Sequence, residues 1–193
     1  MNQQEITQYA IDLTVPVAHP LNNTDILNQR GDQTGIRFAH HSDVSTEFSS
    51  WLDSLDLVIT DPPLIFYTPR GKQCGIHIDG HSHGADRAVM NWCVQGVGSM
   101  MHWYELNDGE QPFETTDTAA GTPYIQYHPR QVKQLYSHVV KWPTLVQTGI
   151  PHNIHNNVWE PRWVISCDIS RKENPTAGLT IAESSEIFKS WIA

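Results

Sequence analysis

The sequence predicts a mainly β fold, an all-β sandwich or barrel with helical cover at both ends, on three observations. Short runs rich in β-branched and aromatic residues recur from Leu57 onward, separated by Gly, Pro, Asn and Asp. Two of these runs carry one mixed polar face and one strongly apolar face. Amphipathic helical patterns stand before the first run and after the last.

The elements follow in order. Residues 1–43 read as irregular, with VPVAHP and NQRGDQTG as turn-rich punctuation. Ser45-Thr46-Glu47 opens a helix through about Leu55, in which Phe48, Trp51, Leu52 and Leu55 fall at i, i+3, i+4 and i+7. The strand runs are LVIT, LIFYT, CGIHID, RAVMNWCV, SMMHWYEL, TPYIQY, SHVVKW, TLVQT, HNIHN and RWVISCDI. Pro143, Pro151 and Pro161 sit at their edges, where proline is tolerated. Asp108-Gly109-Glu110 and Glu114-Thr115-Thr116-Asp117 read as an acidic loop. A last helix is expected from about Ala182 to Trp191, capped by Ser184 or Ser185, with Ile187, Phe188, Trp191 and Ile192 as its apolar stripe. The reading is one domain over 1–193: an irregular segment plus helix to 56, a β core over 57–170, and a helix over 181–192.

Alternation assigns the faces. In RWVISCDI, Arg162, Val164, Ser166 and Asp168 share one face, and Trp163, Ile165, Cys167 and Ile169 the other. In RAVMNWCV, Arg87, Val89, Asn91 and Cys93 oppose Ala88, Met90, Trp92 and Val94. A barrel with a polar interior, and helices packed outside one sheet, accounts for both patterns.

Composition narrows the function classes. A chain of 193 residues suits one sizeable core. Its net charge of −9 disfavours a nucleic-acid groove, which needs a basic footprint. A small-molecule or peptide substrate is the expected partner. Three cysteines without CxxC spacing make neither a disulfide framework nor a zinc knuckle, so reduced thiols in a cytoplasm are expected. MNQQEITQYAIDLT is not a secretory signal, and no run approaches the ~18 apolar residues of a membrane span.

The chemistry gathers around GIHIDG at 75–80. In an extended segment His77 and Asp79 share one face while Ile76 and Ile78 take the other. One imidazole and one carboxylate are two thirds of a 2-His-1-carboxylate iron site. The third ligand is expected far along the chain, at His152 or His155. Three apart in a strand, these two histidines point to opposite faces and cannot both bind. Arg162 bears on the choice, since it lies ten residues after His152 beyond a turn at about 156–161. A hairpin returning Arg162 alongside the ligand strand would let its guanidinium grip a carboxylate through two parallel charged hydrogen bonds. The remaining His19, His40, His41, His128 and His138 show no metal spacing.

HIDG at 77–80, PHNIHN at 151–156 and RWVIS at 162–166 together resemble the Fe(II)/2-oxoglutarate-dependent dioxygenase superfamily, in its prolyl-4-hydroxylase-like and phytanoyl-dioxygenase-like group. The resemblance covers roughly Leu57 to Ser170 and implies a double-stranded β-helix, or jelly roll. It implies His77, Asp79 and His152 as the iron triad, and Arg162 as the residue that binds the distal carboxylate of 2-oxoglutarate. Ser166 and Asn91 would assist at the cosubstrate, and Tyr67 is a further pocket-lining candidate. The cofactors so implied are Fe(II), 2-oxoglutarate and O2. The implied reaction is hydroxylation of substrate with release of succinate and CO2.

Two rivals share the same residues. Gly75, five residues and then His81-x-His83 resemble the opening of a cupin metal motif, which would bind through His77, His81 and His83, although Ala85-Asp86-Arg87-Ala88 stands where that motif wants a glutamate and no second half follows. A cupin-like metal protein would need no 2-oxoglutarate. With His81 and His83 in a loop at the pocket mouth, they would instead meet substrate. The other rival is a silent binding or structural module that kept the barrel.

Overall fold

The computed structural model describes residues 8–23, 27, 34–80, 85–112, 114–118, 120–141 and 143–193. Among these residues, antiparallel strands form two six-stranded sheets and one three-stranded sheet. The first sheet runs β1 (Ala10–Asp12), β11 (Thr144–Gln147), β6 (Ala88–Gln95), β13 (Arg162–Cys167), β4 (Leu64–Thr68) and β2 (Gly35–Phe38). The second runs β10 (Val132–Val139), β7 (Met100–Leu106), β12 (His152–His155), β5 (Ile76–Asp79), β9 (Pro123–Tyr127) and β8 (Glu114–Asp117). β15 (Asn174–Gly178), β14 (Ile169–Arg171) and β3 (Leu57–Ile59) make the small sheet. Successive strands cross between the two large sheets, so the fold is a mainly β jelly roll.

The two faces of the first sheet have separate cores. Its outer face contributes Met90, Trp92, Trp163, Ile165 and Cys167 to a cluster that the helices cover with Phe48, Trp51, Leu52, Ile181 and Phe188. Phe48 meets Trp92 edge-on at 5.5 Å between centroids. Its inner face contributes Val89, Cys93, Val146 and Val164, which pack on Met101 and Trp103 of the second sheet. This is the two-faced pattern expected of RWVISCDI and RAVMNWCV. It leaves the polar residues of those strands between the sheets.

The helices are α1 (Thr46–Asp53) and α2 (Ile181–Ile187), the latter followed by a 3-10 turn over Lys189–Trp191. Ser45 Oγ accepts from the Phe48 amide and caps α1. The cap of α2 is Thr180, not Ser184 or Ser185: Thr180 Oγ1 accepts from the Glu183 amide, and Glu183 reaches back to the Thr180 amide. This capping box uses a Thr-x-x-Glu spacing one turn upstream of the expected serines. Ser184 is instead buried inside the helix.

Four strands escape the sequence pattern. β1 and β2 lie in the segment read as irregular, β8 replaces the expected acidic loop, and β15 follows the expected core. All four are sheet edges. An edge strand needs only one hydrogen-bonded neighbour, so a polar run such as ETTD can serve without an alternating apolar face. The first three residues of SHVVKW close a longer strand that starts at Val132 and ends at Val139.

No helix among the described residues is long and apolar enough to cross a membrane. Replacing Phe48 (Phe48→Ala), fully buried beneath the first sheet, is expected to lower the unfolding free energy by about 3–5 kcal/mol. Urea unfolding followed by circular dichroism would show it as a lower midpoint at unchanged slope.

Candidate metal centre

Strand β12 lies between β5 and β7, and its register builds the centre. His152 stands opposite His77 on one side and opposite Trp103 on the other. Directly opposed residues in an antiparallel pair share a face. Alternation along β5 adds Asp79 to it. The Nε2, Nδ1 or carboxylate atoms that His77, Asp79 and His152 can offer lie within 4.8 Å of one another. The two imidazole centroids are 4.6 Å apart, and His77 Nε2 is 3.5 Å from Asp79 Oδ1. Small side-chain rotations close this span onto one ion with bonds of about 2.0–2.2 Å.

Both histidines present the same nitrogen. His77 Nδ1 lies 2.8 Å from the Gly75 carbonyl, and His152 Nδ1 lies 2.9 Å from the Ile150 carbonyl. A carbonyl only accepts, so each Nδ1 carries a hydrogen and Nε2 is the nitrogen that each ring, once neutral, can offer a metal. His155 falls on the opposite face of β12, where it bridges to Gln73. His81 and His83 lie outside the described residues.

Charge at the centre is uneven. Burial opposes a proton on His77, yet a hydrogen bond donated to the Cys74 sulfur, the Cys74 charge and Asp79 outweigh it and raise the pKa to about 9. Burial lowers His152 to about 4, with the His77 charge adding to the effect and Asp79 opposing it. The metal-free centre thus holds one proton, on His77, through neutral pH. Burial would raise the Cys74 thiol, but the contact with His77 holds it below the usual thiol range. Cys74 Sγ also accepts from the Ile154 amide at 3.0 Å, tying β12 to the segment before β5.

Arg162 approaches from the other sheet. The expected hairpin between the His152 and Arg162 strands does not form. β12 pairs within the second sheet, whereas β13 lies in the first between β6 and β4. The connection over 156–161 crosses between sheets, held by Asn156 Nδ2 donating to the carbonyls of Thr68 and Glu160. Arg162 is 2% exposed. Among the described residues it enters no ion pair, and its Nε has no hydrogen-bond partner. Burial lowers its pKa, while the nearby thiols of Cys93 and Cys74 oppose the shift.

The remaining candidates divide between faces. Ser166 and Asn91 are cross-strand partners, both buried on the inner face, and Asn91 Oδ1 has no partner among the described residues. Tyr67 does not line the interior. It packs on the helix side, its ring 4.8 Å from Trp163. Asp168 pairs with Arg87 at 2.7 Å, which removes it as the partner of Arg162.

Three residues beside the triad went unread in the sequence. Tyr124 and Gln126 of β9 stand opposite Asp79 and His77, and the Tyr124 ring meets His77 edge-on at 5.9 Å. The alternation of TPYIQY places both on one face and could have marked them. Cys74 carries no such signal, because alternation along CGIHID assigns it to the face away from His77, whereas the strand begins only at Ile76.

No family model matches the chain, and no curated protein matches it. Solved structures that resemble it are vicilin from Corylus avellana (hazelnut), an RmlC-like cupin protein from Desulfovibrio desulfuricans, and oxalate decarboxylase from Bacillus subtilis. The vicilin is 11% identical with a TM-score of 0.37, covering 76% of this chain and 31% of its own. The cupin is 11% identical at 0.34, covering 78% and 95%, and the decarboxylase 12% identical at 0.31, covering 74% and 26%. The chain thus spans under a third of the vicilin. At these identities and scores, function has to be read from the chain's own residues.

Metal binding is expected to release about one proton across the range between the His152 value of about 4 and the His77 value of about 9, because the ion displaces the proton of His77. Apparent affinity should therefore rise with pH up to about 9 and level off above it. Calorimetric titration with Fe(II) or Mn(II) in two buffers of different ionisation enthalpy measures the proton count. His152→Ala should abolish the tight binding phase.

Proposed function

We propose that this protein is an Fe(II)- and 2-oxoglutarate-dependent dioxygenase that hydroxylates a small-molecule or peptide substrate. The observation that carries the reading is Arg162, a buried guanidinium with no carboxylate among the described residues. A buried charge without a partner costs several kcal/mol. A dicarboxylate cosubstrate supplies the missing anion at one end and reaches the triad with the other. The donor set fits the metal: two imidazoles and one carboxylate on one face leave positions open for cosubstrate and dioxygen.

The iron and cosubstrate, when bound, supply the oxidising chemistry. The protein's own residues orient and exclude. His77, Asp79 and His152 would hold the ion, all three of them from the second sheet. Arg162 fixes the distal carboxylate, its planar fork setting angle as well as distance. Asn91 and Ser166, on the inner face of the first sheet, offer an amide and a hydroxyl to the bound dicarboxylate. Val89, Val146, Val164, Met101 and Trp103 keep the space between the sheets dry, which strengthens each charge contact made there.

A second reading uses the triad alone. A metal-binding jelly-roll protein of cupin type needs His77, Asp79 and His152 but nothing from Arg162. One substitution separates the two.

Incubation with Fe(II), ascorbate and 2-oxoglutarate is expected to give slow succinate release without added substrate. Arg162→Ala should keep metal binding and weaken 2-oxoglutarate by about 2–5 kcal/mol, the cost of removing one partner from a buried charge pair. A variant that binds both metal and 2-oxoglutarate as before would leave only the cupin reading. Gly96→Ala reaches the same group indirectly. Gly96 sits at φ +74, and a Cβ there would come within 2.6 Å of the Arg162 Cα. It is expected to weaken 2-oxoglutarate binding and lower the melting temperature, with metal affinity at the triad retained.

A further inference from the structure

In the reaction proposed above Trp103 only helps keep the interior dry, yet it is the cross-strand neighbour of His152. It is fully buried on the same inner face. An aromatic path leads outward from it. The ring of Tyr136 lies 5.8 Å from that of Trp103, and Tyr9 lies 6.0 Å from Trp103 and 5.4 Å from Tyr136. The path ends on a base. Tyr136 Oη is 3.5 Å from His138 Nδ1, and His138 Nε2 is 3.0 Å from Asp12 Oδ1. Asp12 also accepts from Thr144 Oγ1 at 2.8 Å. Burial would raise the Asp12 carboxyl, but the hydrogen bonds from His138 and Thr144 outweigh it and keep it ionised.

We propose that Trp103, Tyr136, His138 and Asp12 form an oxidation relay, which drains the metal centre through Tyr136 when no substrate meets the oxidant formed there. The source of that oxidant rests on the dioxygenase reading. In the first step Trp103 gives one electron to the one-electron oxidant that dioxygen or peroxide generates at a reduced iron. The oxidant is reduced by one, and Trp103 becomes a radical cation. Its Nε1–H donates to the Gln147 carbonyl at 2.8 Å. A carbonyl is no base, so the proton stays and the cation keeps its oxidising power. In the second step Tyr136 returns one electron to Trp103 while its phenolic proton moves to His138 Nδ1. The products are neutral Trp103, a neutral tyrosyl radical, and a His138 imidazolium stabilised by the Asp12 carboxylate. A thiol or ascorbate can then reduce the half-buried Tyr136 and close the cycle.

Packing alone accounts for three rings in contact. It does not call for an imidazole beside the phenol with a carboxylate behind it. A phenol is readily oxidised only where a base takes its proton, and histidine is the side chain suited to that transfer near neutral pH.

The test uses protein loaded with Fe(II). One sample receives 2-oxoglutarate and dioxygen without substrate, and a second receives hydrogen peroxide alone. Both are frozen within the first turnovers and read by electron paramagnetic resonance. A tyrosyl signal is expected in both, absent from metal-free protein and lost in Tyr136→Phe, which keeps the ring packing. His138→Gln should diminish it. Peptide mass spectrometry of Tyr136→Phe should then find oxidised Trp103 or His152 in its place. Iron-loaded protein that consumes oxidant without a tyrosyl signal overturns the relay, as does a signal unchanged in Tyr136→Phe. A signal with peroxide but no consumption of 2-oxoglutarate keeps the relay and removes the dioxygenase reading. Failure to take up iron overturns both.

Discussion

The pairing of His152 with His77 is the constraint on which the rest of the site depends. A strand has two faces, and a slip of one residue exchanges them. Shifted by one, β12 would turn Asn153 and His155 inward and leave His77 and Asp79 without a third donor. Several contacts hold the register. The Ile154 amide donates to Cys74 Sγ, and the Tyr104 amide to the Pro151 carbonyl. At the far end the Gly71 amide donates to the Asn156 carbonyl, and the Asn156 amide to that of Lys72. Asn156, buried completely, anchors the turn with its side chain as well. The polar run HNIHNN is thus a positioning device as much as a ligand sequence.

That register operates within a division of labour between sheets. The second sheet brings every triad donor, while the first brings Arg162, Asn91 and Ser166. The first sheet can bury a guanidinium because its other face is so apolar. Trp92, Trp163, Ile165 and Phe48 sit in one continuous cluster with both helices. Apolar burial contributes about 25 cal/mol per Å2, and large aromatic side chains supply much of that area. The helices therefore act at a distance: their packing stabilises a strand that carries an otherwise costly charge.

Much of this was legible in the sequence. The alternation of HIDG put His77 and Asp79 on one side, and the two-faced runs RWVISCDI and RAVMNWCV foretold a helix-covered apolar face and a mixed polar interior face, though not the apolar cluster that the interior also holds. Period two let only one of His152 and His155 face the pair, and the register that sets His152 opposite His77 makes the choice. What stayed hidden was tertiary. No local signal says that β12 and β13 pair in different sheets, so Arg162 was expected beside the ligand strand and lies opposite it. Tyr67 was misplaced for a related reason: LIFYT has aromatic and aliphatic residues on both faces, so alternation could not choose the inner one. The edge strands β1, β2, β8 and β15 lacked the apolar pattern because one neighbour suffices to pair them.

The opposed arrangement has a consequence for tuning. Because metal and dicarboxylate would be gripped from different sheets, the distance between them is set by what fills the space between the sheets. Val89, Val146 and Val164 from one side meet Met101 and Trp103 from the other. Interiors of this kind are close-packed, and a change of one methylene is felt by its neighbours. Volume changes at Val164 or Met101 would alter the reach from Arg162 to the triad while leaving every polar group in place. Trp103 carries the same dependence further, since it fixes sheet spacing, flanks His152 and begins the aromatic path to Tyr136. A smaller residue there would act on all three at once, so its effects on metal binding, cosubstrate binding and radical transfer could not be separated. Tyr136 and Arg162, at opposite ends of the interior, each touch only one of them.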